Sequence, residues 1–250
     1  MDGRRPQNPA YRRTRVPGGV ITFIAMCGRF SITGDLDFYA DYFGVDDVST
    51  DPLDKSWNVA PTDPVYVVSE RDGRRLLGSM RWGLVPHWAR NSKTIHINAR
   101  SEGIATTPLF RDSFARRRCL IPADGFYEWE PAEHGRTPHW VYRADGYPMV
   151  FAGIWASRRL DDLWERTCSI VTTSSTGVIS AIHDRMPVSL DDSVWEDWLN
   201  RDLTDPEEAL ALLRPIDAEV VSEHSVSSRV NSVSNNDPTL REQADRETLF

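Results

Sequence analysis

The sequence is short of several things, and each shortage removes a class of protein. It has three cysteines in 250 residues, Cys27, Cys119 and Cys168, an odd number with no Cys-x-x-Cys pair. That count excludes a disulfide scaffold and a zinc ribbon, and it suits a reducing, cytoplasmic compartment. No apolar run approaches the ~18 residues a membrane-spanning helix requires. Basic charge is scarce too, with 29 Lys and Arg against 37 Asp and Glu, a formal net charge of −8. Five of the arginines fall within residues 1–26, so from residue 27 onward 24 basic side chains face 36 acidic ones, a net −12. A bulk basic footprint for nucleic acid is absent, and a nucleic-acid site here has to be a local patch on a repelling body. What is present, 40% hydrophobic and 26% charged residues, is the composition of a globular chain able to bury a full core.

Residues 1–19 are rich in Arg, Pro and Gly without helical or strand period, and read as an unstructured leader. Val20–Met26 is mainly apolar, but it is short for a secretory signal and no small-x-small cleavage site follows. Met26 also occupies the place beside Cys27 where a lipoprotein needs a small residue. The preferred reading is translation from Met26 with removal of that Met, which leaves Cys27 as the mature N-terminus.

From Cys27 the pattern predicts a helix over 35–43 stopped by Gly44, and a hairpin of 65–69 with 75–82 around Asp72-Gly73. A helix is expected over 109–118, then one strand from Cys119 through Trp129. A second hairpin is expected from 140–143 and 149–155 around Asp145-Gly146, followed by a strand at 165–173. Asp191 should cap a helix carrying Trp195 and Trp198, with a short helix at 206–213 and a late strand at 220–226. Many hairpin-linked strands with occasional helices define one α+β domain over 27–233 with a largely antiparallel sheet, and 234–250 read as a loose polar tail. Cys119 and Cys168, set among apolar neighbours, read as small buried hydrophobes. The cluster Arg111, Arg116, Arg117 and Arg118 reads as a solvated helix end.

Five islands place reactive polar groups between apolar or aromatic neighbours: Cys27-Gly28-Arg29-Phe30, Asn98-Ala99-Arg100-Ser101-Glu102, Gly125-Phe126-Tyr127-Glu128-Trp129, His183-Asp184-Arg185-Met186-Pro187 and Val230-Asn231-Ser232. Singly, each has a bland reading: Glu128 as a strand carboxylate paired with an arginine, His183 as a satisfied turn histidine, Asn98 as a turn former. A carboxylate between Phe126, Tyr127 and Trp129 is nonetheless a candidate for a raised pKa and acid–base work.

With Asn58-Val59-Ala60-Pro61, Trp82-Gly83-Leu84-Val85-Pro86-His87-Trp88 and Arg118-Cys119-Leu120-Ile121-Pro122, these islands run in the order of the SRAP (SOS-response-associated peptidase) family over about 205 residues, and the chain resembles that family. The leader is a departure, and so is the ending Ser232-Val233-Ser234-Asn235-Asn236-Asp237. The resemblance implies an α+β fold with a barrel-like, largely antiparallel core and flanking helices. It implies covalent capture of abasic sites in single-stranded DNA by an N-terminal Cys27, whose α-amine and thiol close a thiazolidine on the sugar aldehyde. Glu128 and His183 would move protons, and Asn98 would hold the sugar or the amine. Arg29, Arg100 and Arg185 would meet phosphates, with Trp88 and Pro61 as apolar platforms for bases. No metal or organic cofactor is implied, no membrane partner is expected, and a monomer suffices. Two other readings stay open: a thiol peptidase or autopeptidase built on Cys27 and His183, and a non-covalent single-strand binder with an inert Cys27. Slow lyase cleavage is conceivable from an imine intermediate.

Overall fold

The structure is a computed structural model that describes residues 27–89, 94–160 and 162–244. The leader expected at 1–26, Met26 included, lies outside the described residues. In chain order the elements are β1 (Arg29–Ile32), α1 (Leu36–Phe43), β2 (Asp47–Val48), β3 (Ser56–Val59), β4 (Pro64–Arg71), β5 (Arg74–Trp82), β6 (Asn98–Arg100), α2 (Arg111–Arg116), β7 (Arg118–Ala123), β8 (Gly125–Pro131), β9 (Arg136–Arg143), β10 (Met149–Leu160), β11 (Leu163–Ser174), β12 (Arg185–Pro187), α3 (Trp195–Leu199), α4 (Pro206–Ala211) and β13 (Val221–Ser225).

Local chemistry accounts for many of the boundaries. Asp35 accepts from the Phe38 amide at the start of α1, and Gly44 ends it in the left-handed region at φ 55°. Asp72 and Gly73, at φ 56° and 73°, form the tight turn that joins β4 to β5. Asp191 caps a 3-10 turn that runs into α3, and Asp205 caps α4.

Strands β4, β5, β11, β10 and β7 pair in a closed ring, with the parallel contact of β5 to β11 shutting it. Apart from that seam and the short parallel additions of β2 and β6, pairing is antiparallel. A second sheet, β13-β9-β8-β1-β3, lays one face on the ring. Phe30 and Phe126 on that face join Trp82 and Phe151 in the main core. Its other face carries Tyr127 and Trp140, which pack with Val226, Val230 and Leu240 in a smaller core. Gly125 lets β9 close on β8, since a Cβ there would fall 2.3 Å from the Val141 carbonyl oxygen. The barrel-like α+β architecture read from the sequence is the architecture found.

Three expectations are corrected. The run 119–129 is two strands, because the chain bends at Asp124, whose carboxylate accepts from the Ser31 and Thr33 hydroxyls and pairs with Arg241. Residues 140–155 form no hairpin: β9 pairs with β8 and β13, whereas β10 pairs with β7 and β11. Residues 234–244 pack on the body, with Leu240 fully buried and Gln243 bridged to Val226.

Arg118 is also not at a solvated helix end. It is 3% exposed, and its guanidinium donates to the carbonyls of Phe114 (2.8 Å), Ala115 (3.1 Å), Trp198 (2.6 Å), Leu203 (2.9 Å) and Asn200. A cation thus satisfies the orphan carbonyls at the ends of α2 and α3 at once. Burial pulls its pKa down to about 10. Arg118→Met strands these acceptors, and the expected loss is at least about 3 kcal/mol in urea unfolding. An unchanged midpoint would show that water replaces the guanidinium at no cost.

Candidate active site around Cys27

Cys27 lies just before β1, and Glu128 lies in the middle of β8, the strand that pairs with β1. Glu128 faces the ring side of its sheet, opposite to Tyr127 and Trp129. The Cys27 backbone N–H donates to Glu128 Oε2 at 3.0 Å, and the thiol donates to the same carboxylate. Oε1 accepts from the Trp129 amide at 3.2 Å. Cys27 is 2% exposed and Glu128 1% exposed. Burial raises the Glu128 pKa above the ordinary carboxyl range, opposed by His183 and by the donors from Cys27 and Trp129. Burial, then the Glu128 charge, pushes the Cys27 thiol well above its usual value, while Arg185 pulls it down.

His183 is positioned by the turn before β12. Its carbonyl accepts from Ser175 Oγ at 2.6 Å, and its Nδ1 lies 3.0 Å from both the Arg185 amide and Asp184 Oδ1. A neutral ring therefore accepts from the amide, and a ring protonated at Nδ1 donates to the carboxylate. Asn98 is half-buried on β6, in register with Ile170 of β11, and Arg100 is in register with Thr172. Strand β12 joins β11 from Thr172 to Ser174, so β6 and β12 deliver Asn98, Arg100 and Arg185 to one end of β11. The Trp82 indole donates to the Ile97 carbonyl at 2.9 Å and fixes the chain just before Asn98.

The structure brings together Cys27, Glu128, His183 and Arg185, which interact electrostatically. Arg100 is exposed and Trp88 is 59% exposed, while Pro61 is half-buried in the turn after β3. Arg29 and Arg185 both have internal partners. Arg185 makes a bidentate pair with Glu102 and donates to the Thr172 carbonyl at 2.8 Å. Arg29 Nη1 donates to Asn58 Oδ1 (2.9 Å) and to the Val230 carbonyl (3.0 Å). Glu102, Asn58 and Asn231 belong to motifs visible in the sequence, but nothing there assigned them a role. Among the described residues no cluster of three or more His, Cys, Asp or Glu has the arrangement of a metal site, and no helix is long and apolar enough to cross a membrane.

The mixed barrel thus holds a cysteine at the threshold of its first strand with both its backbone nitrogen and its sulfur on one buried carboxylate. The profile of the SOS response associated peptidase (SRAP) family matches residues 26–233, and the chain belongs to that family. It is 37% identical over 224 residues to abasic site processing protein YoqW of Bacillus subtilis, covering 87% of this chain and 99% of that one. Abasic site processing protein YedK of Escherichia coli is 32% identical over 217 residues, covering 84% of this chain and 96% of that one. A solved structure from Bacteroides thetaiotaomicron superposes with a TM-score of 0.78 at 26% identity, covering 88% of this chain and all of that one.

Proposed function

We propose that this protein processes abasic sites in single-stranded DNA by covalent capture through Cys27. The observation that carries the reading is the buried Glu128 carboxylate, held at once by the nitrogen and the sulfur of Cys27. With Cys27 at the N-terminus that nitrogen is an α-amine of ordinary pKa near ~8, partly neutral and nucleophilic at pH 7. It adds to the open-chain aldehyde, and the protonated Glu128 supplies the proton with which the carbinolamine loses water. The resulting carboxylate then takes the thiol proton as sulfur bonds to the iminium carbon, and the electron pair of the C=N bond returns to the nitrogen, which keeps its one proton. One water leaves, and a five-membered thiazolidine remains. A carboxyl group with a raised pKa is suited to giving and taking that proton. Its neighbour His183 assists ring opening, and Asn98 holds the sugar.

Arg100 and Trp88 are exposed groups suited to meet a phosphate and a base, with Pro61 as an apolar wall. A peptidase needs a thiolate, and a buried thiol held well above its usual pKa supplies little of it. That favours the amine-led reaction over the thiol-peptidase reading.

The test mixes protein beginning at Cys27 with a single strand carrying one abasic site, then denatures and resolves it on a gel. A heat-stable adduct is expected, and none from Cys27→Ala. Equal retention by Cys27→Ala would leave only non-covalent binding, and no adduct from the wild type would end the proposal.

A further inference from the structure

The reactive pair Cys27–Glu128 sits on one face of the β1–β8 pairing, and the last described stretch of the chain grips the other face. Arg29, two residues after Cys27, sends Nη1 to Asn58 Oδ1 and to the Val230 carbonyl. Asn58 is 3% exposed, and its Nδ2 lies within hydrogen-bond reach of the carbonyls of Val230 (3.3 Å), Ser232 (3.0 Å) and Asn235 (2.9 Å). The Trp129 indole, next to Glu128, donates to Asn231 Oδ1 at 2.8 Å. Asn236 Oδ1 accepts from the Trp57 amide at 2.7 Å, and the Trp57 carbonyl accepts from the Tyr127 hydroxyl at 2.8 Å. One short segment thus ties Arg29 at the start of β1, the two residues flanking Glu128, and β3 into a single network.

We infer that residues 230–236 and Asn58 form a latch that sets the spacing between Cys27 and Glu128, with Asn58 and Arg29 as positioning residues. The network reaches the start of β1 and both neighbours of Glu128 without touching the reacting groups. A buried primary amide can satisfy such converging carbonyls because it offers two donors and an acceptor in one plane, and the acceptor meets the guanidinium. Positioning is a sensitive variable, since a displacement of about 1 Å between reacting groups can cost on the order of 100-fold in rate. Arg29 contributes by gathering the Asn58 and Val230 oxygens.

This inference rests on the capture reaction proposed above, so its test has one arm that needs that reaction and one that does not. In the first, protein beginning at Cys27 is compared with Asn58→Ala. The maximal capture rate should fall about 10- to 100-fold, while affinity for a strand carrying a tetrahydrofuran abasic analogue, which has no aldehyde, stays within about twofold. Asn231→Ala removes only the Trp129 contact, so it should give a smaller fall in the same direction, and it serves if Asn58→Ala does not fold. Weakened binding of the analogue at an unchanged rate would overturn the latch and make this segment a DNA surface. In the second arm, hydrogen exchange at the amides of Gly28–Ile32 should be faster in either variant than in wild type. Unchanged exchange overturns the latch even if wild-type protein captures no DNA, whereas failure of wild-type capture alone overturns the proposed function.

Discussion

Protein that retains residues 1–26 should form no heat-stable adduct with abasic DNA, and exposing Cys27 as the first residue should restore it in full. The reason is electronic before it is steric. An amide nitrogen shares its lone pair with the carbonyl and cannot add to an aldehyde, whereas a terminal amine can. The sulfur alone would give at most a reversible hemithioacetal. The backbone at Cys27 points the same way, since its φ of 41° lies in the left-handed region that a residue with a Cβ adopts at a cost of about 1–2 kcal/mol. That torsion is defined by the carbonyl of residue 26, so freeing the amine relieves the strain while Glu128 stays in place to receive the nitrogen. Mass spectrometry of each preparation, run beside the gel, gives the check: an adduct from protein still carrying its leader would require another nucleophile.

Glu128→Gln should lower the capture rate by about 100- to 10,000-fold, the range lost when a positioned acid–base group is removed. The amide can still accept from Cys27 but can neither deliver nor take up the proton that dehydration and ring closure require. The same substitution should make the fold more stable at neutral pH. Glu128 has a folded-state pKa raised by burial above its unfolded value. Its favourable contribution is therefore complete below about pH 4.3, the ordinary carboxyl value, and is lost as pH rises through the folded pKa. Thermal unfolding of the variant should exceed wild type at pH 7, and the two should converge near about pH 4. A variant less stable than wild type at pH 7 would mean that the hydrogen bonds from Cys27 and Trp129 outweigh the cost of burying the charge.

The residues differ in how much of this they make legible. Asp72-Gly73 and Asp145-Gly146 carry the same turn signal, and both do turn the chain, with Gly73 at φ 73° and Gly146 at φ 79°. Only the first joins paired strands. Turn chemistry is local, but the partner of a strand depends on which faces must be covered. From Met149 to Ala156 β10 is buried on nearly every residue, so it needs neighbours on both sides and enters the ring between β7 and β11. Cys27, Glu128 and His183 stand out in the sequence because their motifs set polar residues in apolar runs, and the family resemblance supplies the roles expected of them. The internal partners of Arg29 and Arg185 were not legible, because Val230 is 201 positions from Arg29 and Glu102 is 83 from Arg185. An arginine's head group does not reveal whether a phosphate, a carboxylate or a carbonyl will meet it. The ending Ser232–Asp237 reads as solvent-facing by composition, and it is held through side-chain amides and backbone carbonyls that hydropathy does not weigh.

The span of that Arg29–Val230 contact also sets an order of events at the ribosome. The start of β1 leaves the exit tunnel long before the segment that will grip it has been made. At ~5–20 residues per second, the intervening 201 residues take roughly 10–40 s to synthesise. For that interval the grip on β1 cannot form. In the folded protein Cys27 is 2% exposed. The spacing that this segment sets between Cys27 and Glu128 is thus fixed only as the last tenth of the chain appears.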